Sequence, residues 1–182
     1  MPPWVIPAVG AIVLVPLIIF NPRRLNQQTR WSRWISIGFA LGLAGVNQIY
    51  VVRLIIELIG GSASGPSVLL VALSVWITNV IAFAIVYWEL DRGGPVARRV
   101  EGINDAARQD FLFPQQDKSV EARKWNSSFV DYAYFSLSNM MAFSPTDAMP
   151  ISSRAKALMG YQAFTGFVLL ALVISRAVNI LT

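Results

Sequence analysis

The sequence predicts an all-α membrane protein with four transmembrane helices and one short re-entrant helix-loop, which enters the bilayer and turns back. Hydrophobic residues make up 55% of the 182 residues and charged residues only 14%, whereas a soluble domain usually carries about a quarter charged residues. Four apolar runs have, or nearly have, the length that crosses a bilayer. A further apolar segment is too short to cross.

The four long runs extend over Trp4 to Phe20, Trp31 to about Ile59, Ser67 to Trp88, and about Ala155 to Leu181. The first is marginal in length and contains Pro7 and Pro16, which a membrane helix tolerates when its neighbours satisfy the freed backbone groups. Its positive charges, Arg23 and Arg24, follow the apolar stretch, which is the reverse of a cleavable secretory signal. We therefore expect this run to be a transmembrane helix.

The short apolar segment, residues 128–150, begins with a helix-start signature in which Ser128 is followed three residues later by Asp131. A helix from Phe129 to about Ala142 would rise roughly 20 Å, short of the roughly 30 Å hydrocarbon core. The chain must therefore turn back. Non-helical backbone at this depth is tolerated only in protein or beside water, so Phe143 to Asp147 should line a wet path or a protein interface.

Basic residues predict the orientation of the spans. If segment 128–150 returns to its own side, thirteen of the fifteen Lys and Arg lie on one face: Arg23, Arg24, Arg30, Arg33, Arg92, Arg98, Arg99, Arg108, Lys118, Arg123, Lys124, Arg154 and Lys156. The positive-inside rule makes this face cytoplasmic, with both termini outside. Because the charges flank membrane spans, anionic lipid headgroups explain the net charge of +5 better than nucleic acid does.

The chain contains no cysteine and no histidine. This excludes disulfides, thiol nucleophiles, zinc sites of the Cys/His type and His-based acid–base catalysis. No arrangement of a nucleophile with a base, of paired carboxylates or of a metal cluster is recognisable. We therefore expect neither an enzyme nor a cofactor or metal site.

The stretch from Pro95 to Phe113 allows two interpretations. Its apolar residues recur at helical spacing, which fits an amphipathic helix at the membrane surface. Periodicity over so few turns is weak, so a loosely ordered connector is the alternative.

Arg176, near the end of the fourth apolar run, can extend to the lipid headgroups.

Residues 67–181 resemble the pore module of the tetrameric potassium-channel superfamily. DYAYFSLSNMMAFSPTDAMP is similar to its pore helix and filter, in which an aromatic-rich helix leads to a TVGYGD-like hexapeptide and a Pro follows three residues later. Aligning Asp147 with the filter Asp and Pro150 with that Pro assigns to the filter Ala142, Phe143, Ser144, Pro145 and Thr146. In AKALMGYQAFTGFVLLALVISRAV, Gly166 lies where the family often has a hinge glycine.

The same run also resembles a family of bacterial inner-membrane proteins of unknown function, which share its D-aromatic-x-YF opening and a basic stretch after the turn, here ISSRAK. The resemblances imply a potassium-channel-like homotetramer in the bacterial plasma membrane. Residues 67–182 would form the pore-like module, and residues 1–66 would add two N-terminal transmembrane helices.

The filter-like turn departs from the potassium-channel pattern. Potassium filters use glycines so that successive carbonyls can point at the axis and replace the ion's hydration shell. Here Ser144 and Thr146 occupy those positions and flank Pro145, whose restricted φ and missing N–H oppose stacked carbonyl rings. Strong potassium selectivity is therefore not expected. The loop also enters from the opposite side, as in the superfamily's ionotropic-glutamate-receptor branch.

Four residues around this turn allow two interpretations each. Asp147, repeated in four subunits, would form a carboxylate ring that concentrates cations; alternatively it caps a helix or pairs with Arg154. Ser138, Asn139 and Met141 could face the conduction path near the negative end of the helix dipole. Ser and Asn on a packed helix more often bond to neighbouring helices.

The function expected from these residues is a pore-forming ion-channel subunit of weak or unusual selectivity. The homotetramer would assemble around the re-entrant loop and the fourth helix, with membrane lipids and permeant ions as its other partners. The alternative is a transporter or a non-conducting protein that keeps the fold with a sealed axis. Phe143 and Pro145 would form the plug in that case.

Overall fold

The computed structural model describes residues 30–60, 67–100, 109–116, 125–141 and 147–181, which are mostly helical. The helices are α1 (Arg30–Ile59), α2 (Ser67–Leu90), α3 (Pro95–Val100), α4 (Phe129–Met141) and α5 (Ser153–Leu181), and the strands are β1 (Phe111–Leu112) and β2 (Met149–Pro150). Within the described ranges, α1, α2 and α5 are long and apolar enough to span a membrane. This is the pattern of an integral membrane protein. The first predicted span, Trp4 to Phe20, lies outside the described residues.

Helices α1 and α2 pack along their length as an antiparallel pair. Along this contact each helix buries residues at spacings of three and four: Ala40, Ala44, Asn47, Val51, Leu54 and Leu58 in α1, and Ala72, Val75, Asn79, Ala82 and Val86 in α2. Ala44 shares an apolar cluster with Ala82, and Val51 shares another with Val75. On the other side of α1, large apolar side chains such as Phe39, Ile49 and Ile56 are exposed, as expected for a surface that faces lipid.

Helix α4 has 13 residues and therefore rises about 20 Å. It begins at Phe129, as predicted, and ends within one residue of the predicted end. The Asp131 carboxylate accepts hydrogen bonds from the backbone N–H and from the hydroxyl of Ser128, both at 2.7 Å. In a helix-start signature the hydroxyl and the carboxylate both satisfy free N–H groups; here the carboxylate does so, whereas the hydroxyl donates to that carboxylate. The helix-start signature nevertheless marks the correct residue.

Helix α4 lies between α2 and α5, and the chain that follows it returns to the end where it began. Phe135 contacts Tyr87 of α2 with ring centroids 5.2 Å apart. Past α4, β2 pairs antiparallel with β1, with Phe111 opposite Pro150. Ring contacts join Phe111 to Tyr87 at 5.1 Å and to Phe135 at 4.9 Å. The entry and the return of this segment therefore lie together beside the C-terminal end of α2.

The described part of the connector after α2 does not continue as a helix to Phe113. Helix α3 has six residues, and Phe111 belongs to a strand instead of a helix. Positive φ angles at Arg92, Gly93 and Gly94 turn the chain sharply before α3. Phe111 is then buried in the aromatic cluster around Tyr87. The burial of this ring outweighs the weak helical periodicity, so the helix predicted to extend to Phe113 is wrong.

Candidate functional site

The inner face of α4 is attached to both neighbouring helices by a buried polar network. Gln162 of α5 is its centre: its Oε1 accepts from the Tyr87 hydroxyl at 2.7 Å and from Asn139 Nδ2 at 2.8 Å. Its Nε2 donates to Ser136 Oγ at 2.7 Å, and that hydroxyl donates to the Val80 carbonyl at 2.7 Å. Satisfied polar groups of this kind join helices inside a membrane. The network holds α4 to α2 and α5 at once.

The three residues predicted near the end of the short helix have different environments. Asn139 is 8% exposed and also donates to the Met159 carbonyl of α5 at 3.0 Å. Its amide therefore bonds to a neighbouring helix, as the second interpretation predicted. The hydroxyl of Ser138 donates to the Tyr134 carbonyl within α4. Met141 is exposed at the last turn.

The outer face of α4 carries an apolar stripe. Val130, Tyr134, Leu137 and Met141 recur at intervals of four, three and four residues, and each is between 37% and 72% exposed. The rest of the described chain leaves this stripe uncovered. One side of α4 is therefore bonded to α2 and α5, whereas the described residues leave its other side open.

A second polar cluster joins the first turn of α4 to the end of α2. The carboxylate of Asp91, which is fully buried, accepts from the Tyr132 hydroxyl at 2.5 Å. Its other oxygen accepts from the backbone N–H groups of Asp110 at 2.8 Å and Phe111 at 3.3 Å. Asp91 thus links the end of α2, the start of α4 and β1.

Arg98 of α3 is the remaining member of this cluster. It is 3% exposed and donates from Nη1 to the carbonyls of Trp88 at 2.8 Å and Asp91 at 2.6 Å. Its guanidinium lies 5.0 Å from the centre of the Tyr132 ring. Burial lowers the pKa of Arg98 because it disfavours the cation, and the nearby Tyr132 and Asp91 act in the opposite direction.

Asp147 lies where the chain returns from the loop. It is exposed, and it borders a small cleft of about 60 Å³ together with Tyr134 and Ser138 of α4. The alternative pairing of Asp147 with Arg154 is wrong, because Arg154 binds Asp110 with two bonds, Nε–Oδ1 at 2.7 Å and Nη2–Oδ2 at 2.5 Å. A bidentate geometry orients the guanidinium firmly.

The other predicted filter residues, Ala142, Phe143, Ser144, Pro145 and Thr146, lie outside the described residues.

Gly166 of α5 lies directly against the last turn of α4. A Cβ atom built at this position would be 2.3 Å from the Met140 carbonyl oxygen and 3.1 Å from the carbonyl carbon. The helix Ser153–Leu181 continues through this point. The residue predicted as a hinge glycine therefore serves packing here, because only a hydrogen atom fits against the last turn of α4.

A hydrogen bond joins helix α1 to α5, and two buried amides lie between α1 and α2. Tyr161 of α5 donates to Gln48 Oε1 at 3.0 Å. Asn47 and Asn79 are 3% and 0% exposed and lie in one layer of the α1–α2 interface, between the Ala44–Ala82 and Val51–Val75 layers. The amide of Asn79 has no hydrogen-bond partner among the described residues. A buried unpaired amide costs stability.

The sequence interpretation missed Gln162, Tyr132, Asp91 and Arg98 as organising residues. A signal was present for Gln162, since a polar side chain in an apolar run usually faces the interior of a bundle.

The described residues contain no group of three acidic side chains that could hold a metal ion. Comparison of the chain with protein-family models, curated proteins and solved structures finds no match.

Proposed function

We propose that this protein is the subunit of a passive ion-conducting pore, formed by four copies of the chain around α4, the loop that follows it and α5. The observation that carries the proposal is the position of α4. One side of this short helix is hydrogen-bonded to α5 of the same chain. The strand that follows the loop, β2, pairs with β1 beside the C-terminal end of α2, where α4 also begins. Pore loops need this arrangement, because it presents a short backbone turn at membrane depth.

Several copies are needed, since one helix-loop cannot enclose a path. The stripe of Val130, Tyr134, Leu137 and Met141 on α4 supplies an apolar surface for a neighbouring copy. On α5, Phe164 and Phe167 are 67% and 54% exposed and add further apolar surface. Fourfold closure is the arrangement of the fold that the sequence resembles.

The negative charges beside the proposed conduction path favour cations over anions. The C-terminal end of α4 carries the negative end of the helix dipole and leads directly into the loop. Four exposed copies of Asp147 would raise the local cation concentration. Ser144, Pro145 and Thr146 offer hydroxyls and few carbonyls, which help a partly hydrated ion without replacing its hydration shell. Potassium and sodium should therefore pass with little discrimination.

The test is ion flux into liposomes that contain the purified protein. Asp147→Asn should lower cation flux, most strongly at low salt, where the screening length grows to about 30 Å at 0.01 M. Glu57→Gln is the matched control, because Glu57 is an exposed acid on α1 and does not belong to the loop. A wild-type tetramer without flux would favour the sealed-axis alternative, with Phe143 and Pro145 as the plug. Steep potassium selectivity would contradict the argument from the missing glycines.

A further inference from the structure

An apolar groove runs between the N-terminal half of α2 and the C-terminal half of α5. Its cavity volume is about 260 Å³, and apolar side chains line it, among them Leu69, Leu73 and Trp76 of α2 and Leu170 and Val173 of α5. Leu73 is 53% exposed. The groove is therefore open along one side of this helix pair.

The length of α4 explains the groove. Met140, in the last turn of α4, shares an apolar cluster with Val80 of α2 and Leu169 of α5. Helix α4 ends one residue later, whereas α2 reaches back from Val80 to Ser67 and α5 continues from Leu169 to Leu181. The space that α4 fills near Met140 is therefore open in the other half of the helix pair.

We propose that the apolar run Trp4 to Phe20 of the same chain, which lies outside the described residues, packs as a helix into this groove. Helices α2 and α5 are long and apolar enough to span a membrane, so an occupant of the groove between them must itself be apolar and lie at membrane depth. The sequence predicts both properties for this run. The inference goes beyond the proposed function, because the packing of this run requires no ion flux.

The chain between this run and α1 is long enough to reach the groove. Helix α1 is antiparallel to α2, so its first residue, Arg30, lies at the end of the helix pair where α2 ends. A helix separated from α1 by α2 has its axis roughly 16–20 Å from that of α1, which is twice the usual interaxial distance. The connecting residues 21–29 can extend over roughly 30 Å. Such a tether gives the run an effective concentration on the order of millimolar, which favours it over a second copy of the chain.

The small residues of the run match the groove in depth. Ala8, Gly10 and Ala11 are its only alanines and glycines, and small residues let membrane helices approach closely. A run that crosses the membrane before α1 is parallel to α2, because α1 is antiparallel to both. Residues 8–11 then lie roughly 6–10 Å from the start of the run at 1.5 Å per residue. Leu69 to Trp76 lie roughly 3–14 Å from the start of α2 on the same scale. The small residues therefore lie at the depth of the bulky side chains that line the groove.

Disulfide formation between introduced cysteines tests the inference, and the chain has no cysteine of its own. Leu73→Cys combined with Ala8→Cys or with Ala11→Cys in the full chain should form a bond within one chain under mild oxidation. The measured result is the loss of both free thiols, because close packing brings the two Cα atoms within about 7 Å. Ile56→Cys combined with Ala11→Cys is the matched control, since Ile56 is 64% exposed on α1 and lies outside the groove. This control pair should keep both thiols.

Three outcomes of this experiment would overturn the inference. A disulfide that joins two chains would assign the groove to a second copy. Free thiols in both pairs that contain Leu73→Cys would leave the groove to lipid. A bond in the Ile56→Cys pair alone would place the run against α1 instead.

Carbene labelling of the wild-type protein with a lipid-soluble diazirine gives a readout that does not depend on a variant folding. If the run covers the groove, Leu73 should be labelled as weakly as the buried Val75, whereas the exposed Ile56 should be labelled strongly. Equal labelling of Leu73 and Ile56 would contradict the proposal.

Discussion

Replacing Gly166 with alanine adds one methyl group at a close contact between α5 and the last turn of α4. The new Cβ would lie 2.3 Å from the Met140 carbonyl oxygen, 0.7 Å short of the 3.0 Å below which real Cβ contacts essentially never occur. The obstacle is a backbone atom, so a change of side-chain rotamer cannot relieve it. Either α4 or α5 must move.

The energetic effect follows from two opposing contributions. Overpacking of this kind costs about 1–3 kcal/mol, and the better helix propensity of alanine returns about 1 kcal/mol. We therefore expect Gly166→Ala to lower the free energy of unfolding by up to about 2 kcal/mol, measured by thermal or denaturant unfolding in detergent. Ion flux should fall as well, because α4 positions the loop.

Gly160→Ala is the matched control on the same helix. A Cβ at Gly160 meets nothing within 4 Å, so this variant should be as stable as the wild type or more stable by up to about 1 kcal/mol. Equal stability of the two alanine variants would refute the close packing of α5 on the last turn of α4.

Three further expectations concern buried amides and sidedness. Gln162→Leu should destabilise by about 1–3 kcal/mol in detergent unfolding, because Tyr87 and Asn139 lose their shared acceptor; unchanged stability would argue against the network. Asn79→Leu should leave the free energy of unfolding unchanged or raise it, because the Asn79 amide lacks a partner among the described residues. A large loss of stability would contradict this and would mean that the amide has a hydrogen-bond partner. A cysteine at Ser152 should be shielded from an impermeant thiol reagent in intact cells, and one at Ser64 should be labelled; reversed labelling would mean that the positive-inside argument fails.

The long helices could be predicted from sequence because length and apolar character suffice to define them. The prediction of Trp31 to about Ile59 differs from α1 by one residue at its start. The start of α4 could also be predicted, because the two residues that mark it, Ser128 and Asp131, are close to it in the sequence. The transmembrane run Trp4 to Phe20 and the filter-like turn from Ala142 to Thr146 stay predictions.

The buried polar clusters could not be predicted, because their partners are far apart in the chain. Tyr87 and Gln162 are separated by 75 positions, and Asp110 and Arg154 by 44. The spacing of apolar residues along the sequence does not indicate which distant residues form such pairs. Arg98 illustrates the limit: the sequence placed it among the basic residues of one membrane face, whereas the structure buries it.

A density map of the purified assembly would test the pore proposal most directly, because it reports the number of copies and the contents of the axis together. The account predicts four copies with their α4 helices and loops around the axis, and a hydrated path beside Ser144 and Thr146. A monomer or dimer, or an axis closed by Phe143 and Pro145, would contradict it.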